Sequence, residues 1–246
     1  MKKYFTAFQM TQTMFCSLPF PCRSWKEESR PYMMLFLPVI GLEIGALWVT
    51  LDGIFRYFQV ASPIYGFFMA VLPYLLTGFM HLDGFMDVTD AVGSWRDLER
   101  RREILKDSHV GSFAVVWCVF LMLAGFAGFS SISGETPHWI LWIIPVLSRC
   151  LSALAVINGK PMSTSQYAKV TYPGWHRGAL VCMILGCLAV GVLLTGWTAL
   201  VLLGELIAYG IAWKRSTGSL QGMNGDISGY CICISELCAV LILALL

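Results

Sequence analysis

The sequence predicts an all-α fold, a polytopic membrane bundle of about seven transmembrane helices entered from a cytoplasmic N-terminus. Three observations predict it. Hydrophobic residues make up 57% of the 246-residue chain and charged residues only 13%, about half the usual ~25% of a soluble protein. The apolar residues gather into runs long enough to cross a bilayer. The basic residues gather on alternate connections between those runs. With a mean hydropathy of +0.68, a soluble globule of this length could not bury its apolar surface. A soluble enzyme, a disordered chain and a nucleic-acid-binding domain do not fit this composition, so no nucleic-acid partner is expected.

The elements follow in chain order. Residues 1–31 form a cytoplasmic or interfacial segment. Its mildly apolar stretch 4–20 is interrupted by Gln9, Gln12 and Thr13 and has no signal cleavage site. A surface-lying amphipathic helix is expected there. Spans are expected at 33–57, 63–80, 111–130, 139–157, 179–195, 197–213 and 229–246. The first is interrupted by Pro38, Gly41, Gly45, Asp52 and Gly53, which membrane helices tolerate. The fifth and sixth meet at Gly196, as a tight hairpin or one long bent segment. Fifteen of the 17 Lys and Arg fall in 1–31, 81–110, 158–178 and 214–228; the opposite connections hold none. The positive-inside rule makes the basic face cytoplasmic. One integral-membrane domain, 1–246, results, in the cell membrane with the lipid bilayer around it. A homo-oligomer is compatible with the sequence.

Most of the nine cysteines lie in spans, where Cys serves as a small buried hydrophobe. Cys16 and Cys22 lie on the reducing side. Cys231 and Cys233, two residues apart on a helix, face away from each other.

The chemistry concentrates at 81–110. Asp83, Asp87 and Asp90 fall within about 60° of one another on a helix. No Lys or Arg lies among them. Such stripes are commonly solvated faces, but this one begins at the end of an apolar span, and like charges so placed repel. Mg²⁺, which takes carboxylates, water and substrate phosphate, removes the conflict. Gly84 admits a close approach beside the stripe. His81 adjoins it. Downstream, Arg100, Arg101 and Arg102 suit anionic lipid or phosphate equally. Lys106, Asp107 and Ser108 precede the third span, and a hairpin over 81–111 is expected to return Asp107 toward the stripe. The Gly-rich segment 214–228, with Asn224, Gly225 and Asp226, suits either a phosphate loop or an ordinary turn. Charges inside spans are functional candidates, so Arg149 needs an anionic partner. Glu43, Glu205 and Glu236 are further cases. The residues alone thus indicate a Mg²⁺-dependent site at the cytoplasmic face, equipped to move a phosphoryl-linked group.

The run H-L-D-G-x-x-D-x-x-D followed by E-I-L-K-D-S-x-x-G, His81 to Gly111, resembles cobalamin synthase, the adenosylcobinamide-GDP ribazoletransferase family. So do S-L-P-F-P at 17–21, L-P-V-I-G-L-E-I-G at 37–45, Ser148-Arg149, and G-M-N-G-D-I-S-G at 222–229 followed by Glu236. The resemblance spans nearly the whole chain. It departs at His109 for Arg, Ala91 for Gly, Asn224 for Thr, Glu43 for an apolar residue and Lys169 for Arg. It implies that adenosylcobinamide-GDP is joined to α-ribazole or its 5′-phosphate, with release of GMP. Carried onto these residues, it implies Asp83, Asp87 and Asp90 as Mg²⁺ ligands across the diphosphate. Asp107 or Asp226 completes the shell or takes the hydroxyl proton. Lys106 and Arg149 neutralise phosphate. His81, Gly84, Ser108, Asn224 and Gly225 contact substrate. A CDP-alcohol phosphotransferase is the nearer alternative, although its Asp-Gly element is followed by Ala-Arg rather than Phe85-Met86-Asp87. A cation-coupled transporter is the alternative from another class, and the chain lacks the internal repeat such a fold leads one to expect.

Overall fold

The computed structural model describes residues 2–20, 25–163 and 165–246. Pro21, Cys22 and Arg23 of the N-terminal segment lie outside them. The described chain is a helical bundle: α1 (Lys2–Phe15), α2 (Met33–Tyr57), α3 (Ser62–Leu76), α4 (Met80–Gly93), α5 (Leu98–Ile104), α6 (Ser112–Ser131), α7 (Trp139–Asn158), α8 (Trp175–Thr195), α9 (Leu200–Leu220) and α10 (Gly225–Leu245). Each of the seven predicted spans is a helix. Five stretches are long and apolar enough to cross a membrane: Glu27–Tyr57, Ser112–Ser131, Trp139–Asn158, Trp175–Leu220 and Gly225–Leu245. The bent pair α3–α4 makes a sixth if taken as one span.

Helix α7 is the centre of the bundle, with 72% of its most apolar window buried, against 22% for α6. The glycines that interrupt the first apolar run lie at its contact with α7. A Cβ on Gly41 would stand 2.7 Å from the carbonyl carbon of Pro145, and one on Gly45 2.6 Å from the Trp142 carbonyl oxygen. Small residues let the two backbones touch, as membrane helix packing requires. Ile40, Ile44, Trp48, Ile140, Ile144 and Leu147 fill the core around that contact. The exposed apolar faces of α6 and α8, including Phe120, Leu123, Leu185 and Leu193, are what lipid would cover.

Trp175–Leu220 is a hairpin. Gly196 turns the chain with φ +59°, the turn Gly196–Ala199 follows, and Gly191 of α8 lies against Leu202 of α9. Eleven residues of straight helix would hold those two about 16 Å apart.

One sequence expectation is corrected. The span at 63–80 ends at Leu76, since Gly78 and Phe79 both take positive φ and α4 leaves at 91° to α3. The N-terminal helix is amphipathic, with one face packed on the bundle and Lys2, Lys3, Phe5 and Thr13 exposed on the other. Ala7, Met10, Thr11 and Phe15 of α1 are buried, Phe8 meets Phe36 edge-on at 5.9 Å, and Gln12 donates to Glu43. Ser17 then satisfies the end of α3. Its N–H donates to the Leu76 carbonyl (2.7 Å) and its hydroxyl to the Leu75 carbonyl (2.7 Å). A helix stopped inside the bundle leaves carbonyls that need such donors.

At the other end of α2, Asp52 is fully buried and knotted. Arg56 Nε donates to both its oxygens (2.9 Å), the Tyr65 hydroxyl donates at 2.7 Å, and His138 Nδ1 pairs with it. Burial of these charges is tolerated because each has a partner.

Candidate active site

The site is built where α4 crosses α10. Gly84 sits on the backbone of Asp226; a Cβ there would lie 2.8 Å from both its Cα and its carbonyl oxygen. One turn deeper, a Cβ on Gly229 would lie 2.9 Å from the His81 carbonyl oxygen. The crossing therefore admits only hydrogen at both positions. It carries Asp83 and Asp87 against Asp226, 139 residues away from Asp87 in the chain. Asp83 is exposed; Asp87 and Asp226 are half-buried. Among the described residues none of the three carboxylates has an ion-pair partner. Asp87 stands outside the five spanning stretches. Its burial, followed by the facing charges of Asp83, Asp226 and Asp90, pushes its carboxyl up to about 7.

Asp90, the third member of the stripe, is used otherwise. It accepts from the N–H groups of Gly111 (2.5 Å) and Ala114 (2.9 Å), capping the start of α6. Any Cβ on Gly111 would sit 2.6 Å from the Asp90 carboxylate oxygens. The hairpin 81–111 thus returns Gly111 to Asp90. Asp107, expected at the stripe, turns away. Its carboxylate accepts from the His109 N–H (3.0 Å) and meets His109 Nδ1 at 2.7 Å, which holds it below the usual carboxylate range. Ser108 is exposed in the same turn. Lys106 lines a cleft of about 520 Å³ with Arg102, Glu99, Met162 and Ser163.

The basic run is mostly structural. Arg101 donates to the Ser219 carbonyl (3.3 Å), and Arg102 to those of Leu220 (3.0 Å) and Gln221 (2.9 Å). They satisfy the last carbonyls of α9 and offset its negative end. Arg100 pairs with Glu103 at 2.7 Å.

The Gly-rich segment is held by a partner the sequence did not indicate. Met223 donates to the Lys160 carbonyl (2.8 Å) and accepts from the Met162 N–H (3.0 Å). This short parallel bridge joins the loop after α7 to the start of α10. Asn224 caps α10, accepting from the Ile227 N–H at 3.0 Å, and its amide donates to Asp226 at 2.5 Å. Gly225 opens the helix beside Gln166. Arg30 donates to the Gln166 carbonyl (2.6 Å), tying the N-terminal segment to the same loop. Lys160 and Gln166 were missed because backbone pairing between distant loops leaves no local pattern.

Arg149 does not face the carboxylates. It is 1% exposed and pairs with Glu236, with Ser148 Oγ at 2.9 Å and His81 Nδ1 at 3.4 Å. Ser148 also donates to Glu236 at 2.8 Å. The separated Ser-Arg and Glu elements of the sequence thus form one buried knot, with Glu205 fully buried nearby. The anionic partner expected for Arg149 is Glu236, and the knot reaches the α4–α10 crossing through His81. Cys231 and Cys233 are both buried and differently engaged, the latter with the His81 carbonyl at 3.4 Å.

The fit to Mg²⁺ rests on donor chemistry. Three hard carboxylates face one another, and their charges add to burial in raising the Asp87 carboxyl. Among the described residues no group of three His, Cys, Asp or Glu side chains is already closed enough to hold an ion. Mg²⁺ takes one or two carboxylates with water and phosphate rather than an all-protein cage, so this open arrangement suits it.

The family described as cobalamin-5-phosphate synthase matches residues 7–244. A Clostridium perfringens protein named adenosylcobinamide-GDP ribazoletransferase is 34% identical over 254 aligned residues, covering all of both chains. Proteins of the same name from Clostridium botulinum (29%, 96% of each chain) and Geobacillus thermodenitrificans (33%, 83% of this chain and 82% of the relative) are also similar. No solved structure matches the chain.

Proposed function

The chain belongs to the cobalamin-5-phosphate synthase family, and we propose that it joins adenosylcobinamide-GDP to α-ribazole 5′-phosphate, or to α-ribazole, with release of GMP. The observation that carries this reading is the backbone contact of Gly84 on Asp226, which gathers Asp83, Asp87 and Asp226 at one end of a membrane bundle. The ribazole 3′-hydroxyl attacks the phosphorus on the aminopropanol arm. The new O–P bond forms as the bond to GMP breaks.

Asp83 and Asp87 would hold Mg²⁺ in this reading. Held there, Mg²⁺ would supply charge neutralisation at the diphosphate. Asp226, oriented by the Asn224 amide, takes the hydroxyl proton. Lys106 gives a point charge to the phosphate of departing GMP. Asp90 positions the stripe by anchoring α4 to α6. Arg149 positions His81 from below. The whole chain acts as one transferase domain, with seven spans, the N-terminus inside and the site at the cytoplasmic face of the cell membrane. The gathering of fifteen of 17 basic residues on that face supports this orientation.

The test is turnover by the purified protein in lipid vesicles, given adenosylcobinamide-GDP and α-ribazole 5′-phosphate with and without Mg²⁺. Matched, Mg²⁺-dependent appearance of GMP and the cobamide is expected without any ion gradient. Activity on CDP-alcohol substrates instead would assign a different acceptor and refute the proposal.

A further inference from the structure

A cavity of about 180 Å³ lies beside Asp226 at the mouth of the α4–α10 crossing. Met14 and Phe15 of α1, Met34 and Leu37 of α2, and Met80 of α4 form its apolar wall. His81, Gln166, Tyr167, Asp226 and Ser228 supply its polar end. We propose that this cavity is the subsite for the heteroaromatic base of the ribazole substrate. The inference rests on the transferase reading above.

Size comes first. An apolar protein cavity of roughly 150 Å³ accepts one benzene ring. At about 180 Å³ the space beside Asp226 takes a ring system little larger, a fused benzimidazole-type base, and excludes a corrin.

Chemistry narrows it further. The Arg149 guanidinium has donors only, so His81 Nδ1, 3.4 Å from it, is the acceptor and the ring proton sits on Nε2. His81, which lines the cavity, thereby carries one fixed N–H donor. A benzimidazole-type base joined to ribose through one nitrogen keeps a single ring-nitrogen acceptor, which matches. The guanine of GMP carries acceptors at N7 and O6 and a donor at N2. The wall of Met14, Phe15, Met34, Leu37 and Met80 offers guanine no side-chain partner, so only the groups facing the polar end could pair, and unpaired buried polar groups are penalised.

Position agrees with the reaction. A base seated against Asp226 and Ser228 places its ribose at the carboxylate that takes the hydroxyl proton. Methionine side chains adapt to substituents on a ring, so the wall sets a size limit rather than a single template. Helix α1 is then a working part of the site. Its buried end supplies two of the wall residues, and its Gln12 tether to Glu43 holds that end in place.

The test uses the full-length protein in vesicles with three α-ribazole 5′-phosphates, carrying benzimidazole, 5,6-dimethylbenzimidazole and a naphthimidazole. Met34→Ala enlarges the cavity. It is expected to shift the kcat/KM ratio toward the largest base by about tenfold or more, the range one or two methylenes command in an apolar pocket. Met80→Trp fills the cavity from a residue already 39% exposed, so it tests the same point should Met34→Ala fail to fold. It is expected to shift the ratio the other way and raise the ribazole KM, with the KM for adenosylcobinamide-GDP changed less than about twofold. A wild-type protein that makes no cobamide would refute the transferase reading itself. An active wild type whose variants keep its base preference, or move only the adenosylcobinamide-GDP KM, would place the base elsewhere.

Discussion

Replacing Gly84 by Ala tests the α4–α10 crossing with one methyl group. The new Cβ would stand 2.8 Å from the Cα and carbonyl oxygen of Asp226. Apolar contacts settle near 3.5–4.0 Å, so the helices must part by about 1 Å. The neighbour is backbone, which has no rotamer with which to escape. Overpacking of this kind costs about 1–3 kcal/mol. Ala also gains about 1 kcal/mol of helix propensity over Gly, so the net loss of stability is expected to be only about 0–2 kcal/mol. Catalysis is far less forgiving. A misplacement of about 1 Å in a reacting constellation can cost on the order of 100-fold, and here it separates Asp226 from Asp83 and Asp87. The assay pairs kcat in vesicles with the unfolding midpoint in the same lipid. Gly186→Ala is the control, because a Cβ there meets nothing within 4 Å. The expected result is a kcat reduced about 100-fold at near-native stability, with the control active. An active Gly84→Ala enzyme with unchanged stability would refute the crossing as the feature that assembles the site.

Other expectations follow from the same geometry. Asp83→Asn and Asp87→Asn should each lower kcat by about 100-fold or more, the scale of losing one group that stabilises developing charge. Asp90→Asn keeps one acceptor for the α6 N–H groups and should cost much less, about tenfold; equal losses at all three positions would restore Asp90 as a ligand. The Asp87 carboxyl is raised in the folded state to about 7, so between about pH 4 and 7 the folded protein binds more protons than the unfolded chain. Metal-free stability should therefore fall as pH rises through that window, and Asp87→Asn should flatten the slope in a thermal-unfolding series. Arg149→Met leaves Glu236 buried without its cation and should destabilise by about 3–5 kcal/mol, whereas adding Glu236→Met should restore much of the loss. Unfolding measurements on both would show whether the knot is an ion pair.

Much of this molecule was legible in its sequence, for one physical reason. In a bilayer each spanning segment must satisfy its own backbone, so apolar length alone reveals it. The seven runs are accordingly helices, although α9 runs on to Leu220, seven residues past the expected end. The exception at 63–80 was shortened by Gly78 and Phe79, whose left-handed turn has no hydropathy signature. The 3.6-residue period likewise showed that Asp83 and Asp87 share a face. It showed equally well that Asp90 does, and only the structure sent that carboxylate to α6.

What only the tertiary structure decided is which groups meet. Asp226 joins the stripe because two glycines let α4 and α10 touch. Arg149 is claimed by Glu236, 87 residues away, because a buried charge must find a counter-charge wherever the fold can supply one. Arg101 and Arg102 are drawn to the end of α9, and Gln12 ties α1 to Glu43 of α2. Periodicity and hydropathy are properties of neighbouring residues along the chain. Pairing in a low-dielectric interior is a property of distance in space, and that is set only when every helix has packed.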